Sequence, residues 1–253
     1  MRISRETIIS AAQAQLERNP RILALWLEGA DATGHVDPYS DIDLCCSVEA
    51  GAMDAVTDQM QQVLEGLGML DLIDKSPAQK NFQFSVFHLQ DTSPYLLIDF
   101  NVFVDRGSQF VEGDEIEKPL VLFDRGGMVK FSKPDERLAD SQRAKRLREL
   151  VDTVSQYSRI EKYIKRKNFL EAFGYYHKWL LTPLIEALRM RYTPLHADYY
   201  IVHISRHLPV DVMRKLEGLF QVSSLADLET KSREALAFFE ETAAFLYQAT
   251  PYI

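Results

Sequence analysis

Apolar positions along the chain change period near residue 131, and that change divides the sequence. Residues 22–30 (ILALWLEGA) form a nearly continuous apolar run ending at Gly29, the pattern of a central strand buried on both faces. DIDLCCSVE (41–49) alternates instead: Ile42, Leu44, Cys46 and Val48 fall on one face and Asp41, Asp43, Cys45, Ser47 and Glu49 on the other. That predicts a half-buried strand. FQFSVFHLQ (82–90) and YLLIDFNVFVD (95–105) predict a hairpin around Asp91–Pro94. In its second strand Leu96, Ile98, Phe100, Val102 and Val104 share an apolar face, so Asp99 and Asn101 point the other way. A short strand is expected in PLVLFDRGG (119–127).

Helical spacing marks the other elements. The first twenty residues read as an amphipathic helix rather than a secretory leader, and Met53, Val56, Met60, Val63, Leu64 and Leu67 predict a helix over 51–68. Ser132-Lys-Pro-Asp-Glu136 resembles a helix start, with Ser132 as the capping residue. From there the chain reads as helical, with breaks near Thr193-Pro194, Leu208-Pro209 and Val222–Ser224. The expectation is an α+β fold: a mixed-sheet domain over 1–131 followed by an all-α domain over 132–253.

The chain has 253 residues, 46% hydrophobic and 26% charged, which is ordinary for a folded protein. No apolar run approaches the roughly 18 residues of a membrane span, and a cytoplasmic location is expected. Cys45 and Cys46 are adjacent, which suits neither a disulfide framework nor a metal site, so buried reduced thiols are expected. Charge is segregated: residues 1–130 carry 10 Lys and Arg against 21 Asp and Glu, and residues 131–253 carry 19 against 16. An acidic N-terminal half disfavours a nucleic-acid partner and favours metal ions or a cationic small substrate.

The chemistry concentrates in Gly29-Ala30-Asp-Ala-Thr-Gly-His-Val-Asp-Pro-Tyr-Ser40-Asp41-Ile-Asp43-Leu. Aspartates at i and i+2 on a strand lie on one face about 7 Å apart, and without a cation they repel. Mg²⁺ prefers a few carboxylate oxygens and completes its shell with water and phosphates. Asp99, on a strand of matching parity, supplies a third carboxylate; Asp91, in a turn, and Asp105, at a strand end, are its competitors.

Gly29…Ser40-Asp41-Ile42-Asp43-Leu44 resembles the signature of the polymerase β-like nucleotidyltransferases, a Gly-Ser pair followed about ten residues later by Asp-x-Asp. Length and domain order are most similar to the aminoglycoside and lincosamide nucleotidyltransferases. The resemblance implies that the loop after Gly29, with Ala30 and Ser40, holds the triphosphate of ATP or another nucleoside triphosphate. It implies that Asp41, Asp43 and Asp99 hold two Mg²⁺ ions, with Asp99 a candidate to accept the proton of the attacking hydroxyl. The family's Ser after the Gly is Ala30 here, which removes one phosphate contact.

The resemblance also implies a small-molecule acceptor and makes a homodimer plausible. A helix is predicted over 168–191 with an internal Pro183, and Lys178 and Glu171, seven apart, are the candidates for a phosphate-reaching Lys and an alternative base. His35, in the phosphate loop, suits a solvated loop residue, and Tyr175, Tyr176 and Trp179 in the predicted helix suit a core. Rival readings are a protein-adenylylating enzyme of the minimal antitoxin type and a non-catalytic nucleotide-binding descendant.

Overall fold

The computed structural model describes residues 3–104 and 107–249, apart from the side chains of Glu136 and Arg137. The chain forms two compact units, Met1–Pro134 and Asp135–Ile253, and the architecture is mixed α+β with a mixed sheet and a helical C-terminal region. No helix among the described residues is long and apolar enough to cross a membrane.

The first unit is built on a six-stranded sheet ordered β3-β4-β5-β2-β1-β7. Its strands are β1 (Ile22–Leu27), β2 (Ile42–Val48), β3 (Leu70–Lys75), β4 (Phe82–Leu89), β5 (Ile98–Val104) and β7 (Leu120–Asp124). Strand β2 runs antiparallel to β1 and parallel to β5, and β4 pairs antiparallel with β5 as the hairpin pattern predicts. The short strands β6 (Gln109–Val111) and β8 (Lys130–Ser132) form a separate parallel pair.

Helices α1 (Arg5–Leu16) and α3 (Met53–Glu65) contribute Ile8, Ala12, Leu16, Val56, Met60 and Leu64 to one core with Leu25, Leu27, Ile42, Leu44, Cys46, Phe100 and Val102. Fully burying such side chains is worth about 1.5–3 kcal/mol each. The opposite face holds a smaller cluster of Ala24, Trp26, Cys45 and Phe110, with Trp26 stacked on Phe103 at 6.0 Å between ring centres. Strand β1 is therefore buried on both faces, as its apolar run predicts.

Several expectations are corrected. Strand β2 is not half-buried beyond Asp43, because Cys45 joins the second cluster and Ser47 is fully buried. The stretch after Gly29 is not an open loop but one helical turn, α2 (Gly29–Thr33), closed by Gly34 at φ +77°. Strand β3 is an element the apolar pattern does not predict, since LDLIDK lies at the sheet edge with little burial, and β6 and β8 are three residues each. Ser132 lies in β8, so it cannot cap the next helix; Asp135 does, its carboxylate accepting from Leu138 N at 3.1 Å.

In the second unit α4 (Glu136–Val154), α5 (Ser158–Lys165) and α6 (Phe169–Tyr176) are followed by a π-helical turn, His177–Leu181, and α7 (Thr182–Tyr192). The single helix expected over 168–191 is thus interrupted. Pro183 has no N–H to give, and the wider turn before it lets Thr182 bond back to His177 O through both its amide and its hydroxyl, the latter at 3.1 Å. A 3₁₀ turn (Pro194–Tyr199), α8 (Ile204–His207), α9 (Val210–Phe220) and α10 (Leu225–Ala249) complete the unit, with breaks where the prolines and Val222–Ser224 predict them. Its core runs through Leu147, Leu150, Tyr176, Leu180, Leu184, Leu188, Leu216 and Phe239.

Candidate metal centre

Three elements of the first unit meet at one edge of the sheet: the start of β2, the start of β5 and the end of β1. The parallel register pairs Asp43 with Asp99 and Ile42 with Ile98, so the apolar partners enter the core and the two aspartates stand side by side on the other face. Asp41 immediately precedes β2 rather than lying in it. One carboxylate oxygen from each of Asp41, Asp43 and Asp99 lies within 4.8 Å of the others. Of the expected competitors, Asp91 is in the turn after β4 at φ +66°, and Asp105 lies outside the described residues.

Among the described residues no cation or hydrogen-bond donor is paired with these three carboxylates. Burial pushes the Asp43 carboxyl up to about 7, and the charges of Asp41, Asp99, Glu28 and Asp31 push it the same way. Asp99 is pushed up to about 6, first by burial and then by Asp41. Three converging carboxylates, two of them half-buried, form a hard-oxygen donor set, which fits Mg²⁺ well and softer metals poorly.

Gly29 stands directly over this group. A Cβ built there would lie 2.0 Å from Asp43 Oδ2 and 3.0 Å from its Cγ, and the residue's φ is +58°. Only glycine meets both conditions. Gly29 opens α2, whose preceding residue, Glu28, gives no side-chain cap. The first amides of this turn therefore have no side-chain cap.

Two residues unremarked in the sequence hold this arrangement together. Arg5, on α1, donates from Nη1 to Asp31 Oδ2 at 2.6 Å and to Asp41 O at 2.8 Å, and from Nη2 to Ser40 O. Both side chains of the pair are nearly buried, at 10% and 8% exposure. Glu28 accepts the Trp26 indole N–H at 2.7 Å and joins Asn101 in bonding the Cys45 thiol. No local sequence signal marks Arg5, whose partners are 26 to 36 residues away.

The Ser40 side chain serves the backbone: its hydroxyl donates to Asp37 Oδ1 at 3.0 Å and accepts from Asp37 N at 2.9 Å, closing the turn before Asp41. Ala30 is partly buried on α2, and His35 is exposed in the loop after it. Lys178 and Glu171 belong to the second unit. Lys178 is exposed in the π turn with Nζ 5.7 Å from the centre of the Trp179 ring, and Glu171 is exposed on α6.

No protein-family model matches the chain. No curated protein matches it either. Among solved structures it is similar to an aminoglycoside 6-adenyltransferase from Bacillus subtilis, at 12% sequence identity and a TM-score of 0.40, over 99% of this chain and 93% of that one. That likeness is too distant to carry an assignment, and the functional reading rests on the residues themselves.

Proposed function

We propose that the chain is a Mg²⁺-dependent nucleotidyltransferase that moves a nucleoside monophosphate, AMP from ATP, onto a hydroxyl of a small cationic acceptor of the aminoglycoside kind. The observation that carries the reading is the convergence of Asp41, Asp43 and Asp99 under Gly29, a glycine whose missing Cβ leaves room for the Asp43 carboxylate.

In this reading the three aspartates hold two Mg²⁺ ions, which when bound would neutralise triphosphate charge and polarise the reacting oxygens. The uncapped amides of Gly29 and Ala30 would receive phosphate oxygens. The acceptor hydroxyl forms a bond to the α-phosphorus as the bond to pyrophosphate breaks, and its proton passes to a carboxylate, Asp99 in this assignment. Glu171 remains the alternative base and Lys178 a phosphate contact from the helical unit. The acidity of the first unit supports a cationic acceptor and speaks against nucleic acid as its substrate. The domain roles follow: residues 1–131 as the catalytic domain and 132–253 as the helical domain, acting as a possible homodimer.

The test is calorimetry of ATP binding with and without Mg²⁺ on the wild type and on Asp41→Asn/Asp43→Asn, followed by pyrophosphate release with a panel of aminoglycosides. Metal-dependent binding that the double variant loses, with acceptor-stimulated release, supports the reading. No metal-dependent nucleotide binding in the wild type overturns it. Binding without release favours a non-catalytic nucleotide-binding protein, the reading that Ala30 in place of the family's Ser favours.

A further inference from the structure

Two exposed aromatic rings flank the acidic edge. Tyr39 is 68% exposed and Tyr95 54% exposed, and their rings meet edge to face, 5.1 Å between centres at 72°. Rings this exposed leave apolar faces in water, and two of them in contact make one small patch that a ligand could cover.

Their placement ties them to the carboxylates. Tyr39 is two residues before Asp41, within about 7 Å along the chain, and Tyr95 is four residues before Asp99. The loops that carry them lead into the parallel neighbours β2 and β5, and Ile42 N bonds Leu97 O at 2.9 Å where the loops enter the sheet. Each backbone is held by a local turn, Tyr39 N donating to Asp37 Oδ1 at 2.9 Å and Tyr95 N to Ser93 Oγ at 3.4 Å. The pair is therefore presented by fixed backbone at the same edge as Asp41, Asp43 and Asp99.

Charge around the pair has one sign. No Lys or Arg occurs from Ile22 to Asp74 or from Asn81 to Asp105, the stretches that build this edge, whereas Glu28, Asp31, Asp37, Asp41, Asp43 and Asp99 all do. Arg5, which reaches this edge from α1, is consumed by Asp31 and two carbonyls. An aromatic face in a negative field selects an organic cation, through attraction of an ammonium to the ring quadrupole. In an edge-to-face pair one ring keeps its faces open.

We infer that Tyr39 and Tyr95 form the acceptor subsite, binding an amine-bearing ring compound with an ammonium against the aromatic pair and a hydroxyl toward the aspartates. The inference rests on the nucleotidyltransferase reading for what happens to the hydroxyl, but not for the binding of the cation.

The experiment is calorimetric titration of kanamycin, streptomycin and spermidine into the wild type, Tyr39→Ala/Tyr95→Ala and Tyr39→Phe/Tyr95→Phe. Each titration is run with and without Mg²⁺ and a non-hydrolysable ATP analogue, whose own affinity is measured in parallel. The expected result is that the ring-bearing amines bind the wild type, that the double Ala variant weakens them about tenfold, and that the double Phe variant keeps them. Nucleotide affinity stays unchanged in both variants. The inference is overturned if no cation binds the wild type, if the Ala variant binds as well as the wild type, or if the loss falls on the nucleotide, which would make the pair a base-stacking platform. Failure of the nucleotidyltransferase reading is separate: it shows as absent Mg²⁺-dependent nucleotide binding, whatever the cations do.

Discussion

Gly29 leaves the space of its side chain to the carboxylate of Asp43, with 2.0 Å between Asp43 Oδ2 and the position a Cβ would take. Gly29→Ala must displace either the α2 turn or the carboxylate, and it places an L side chain at φ +58°, a conformation that costs about 1–2 kcal/mol. The expected outcome is a folded protein with a lowered denaturation midpoint and Mg²⁺-dependent ATP affinity down tenfold or more. Circular dichroism with urea checks the first and calorimetry the second. A variant that binds Mg²⁺ and ATP as the wild type does would show that the close approach is incidental.

The raised Asp43 carboxyl makes metal-free stability depend on pH in the direction opposite to a salt-bridged aspartate. Its folded pKa, about 7, lies above the ordinary 3.8. The folded state therefore binds more protons between those values, and stability is lost as pH rises from about 4 to about 7. Burial also leaves Asp99 high, at about 6, and it acts in the same sense. In EDTA the midpoint should fall from pH 5 to pH 8, and Asp43→Asn should recover on the order of 2 kcal/mol at pH 8 after discounting for solvent screening. Excess Mg²⁺ should remove the loss in the wild type and do nothing for Asp43→Asn. Urea titrations at the two pH values decide it.

Much of this edge is legible in the amino-acid pattern. The parities of 41–49 and 95–105 put Asp43 and Asp99 on matching faces, and the parallel register sets them side by side, because Ile42, Leu44, Ile98 and Phe100 have only one core to enter. The turns at Pro194, Pro209 and Val222–Ser224 are legible because proline and clustered turn residues act locally. What is not legible depends on distant contact. Cys45 is buried as expected, but the pattern does not show that Phe110 and Met128 are what cover its face of β2, and α2 reads as a loop because five residues are too few for a period. Ser132 looks like a cap until β6 claims it as a strand partner. Arg5 carries no signal at all, since its three acceptors belong to other elements.

Ala30 is the partly buried second residue of α2, whose N-terminus has no side-chain cap. Ala30→Ser should add a phosphate contact without disturbing the core. The expected gain is an ATP complex about tenfold tighter or more, the value of one hydrogen bond to a charged group, with little change in the unfolding midpoint. Calorimetry with Mg²⁺ checks it. No gain would mean that the first turn of α2 does not meet phosphate.

The Arg5–Asp31 pair carries the last expectation, because its two possible roles separate experimentally. Burial raises the Asp31 carboxyl, and the charge and hydrogen bond of Arg5 oppose that rise. Arg5→Ala strands a carboxylate of 8% exposure and releases the carbonyls of Ser40 and Asp41, so a loss of about 3–5 kcal/mol is expected in urea unfolding. Arg5→Lys should recover only part of it, because an ammonium cannot reproduce the fork that reaches three acceptors. The decisive protein is Arg5→Met/Asp31→Leu, which removes both charges and should regain most of the stability. If the pair only seals the interior, this variant also regains Mg²⁺-dependent ATP binding. If Arg5 sets the angle between α2 and the start of β2, stability returns while nucleotide affinity stays at least tenfold down, the outcome expected from its bonds to the carbonyls of Ser40 and of Asp41, the first aspartate of the candidate site.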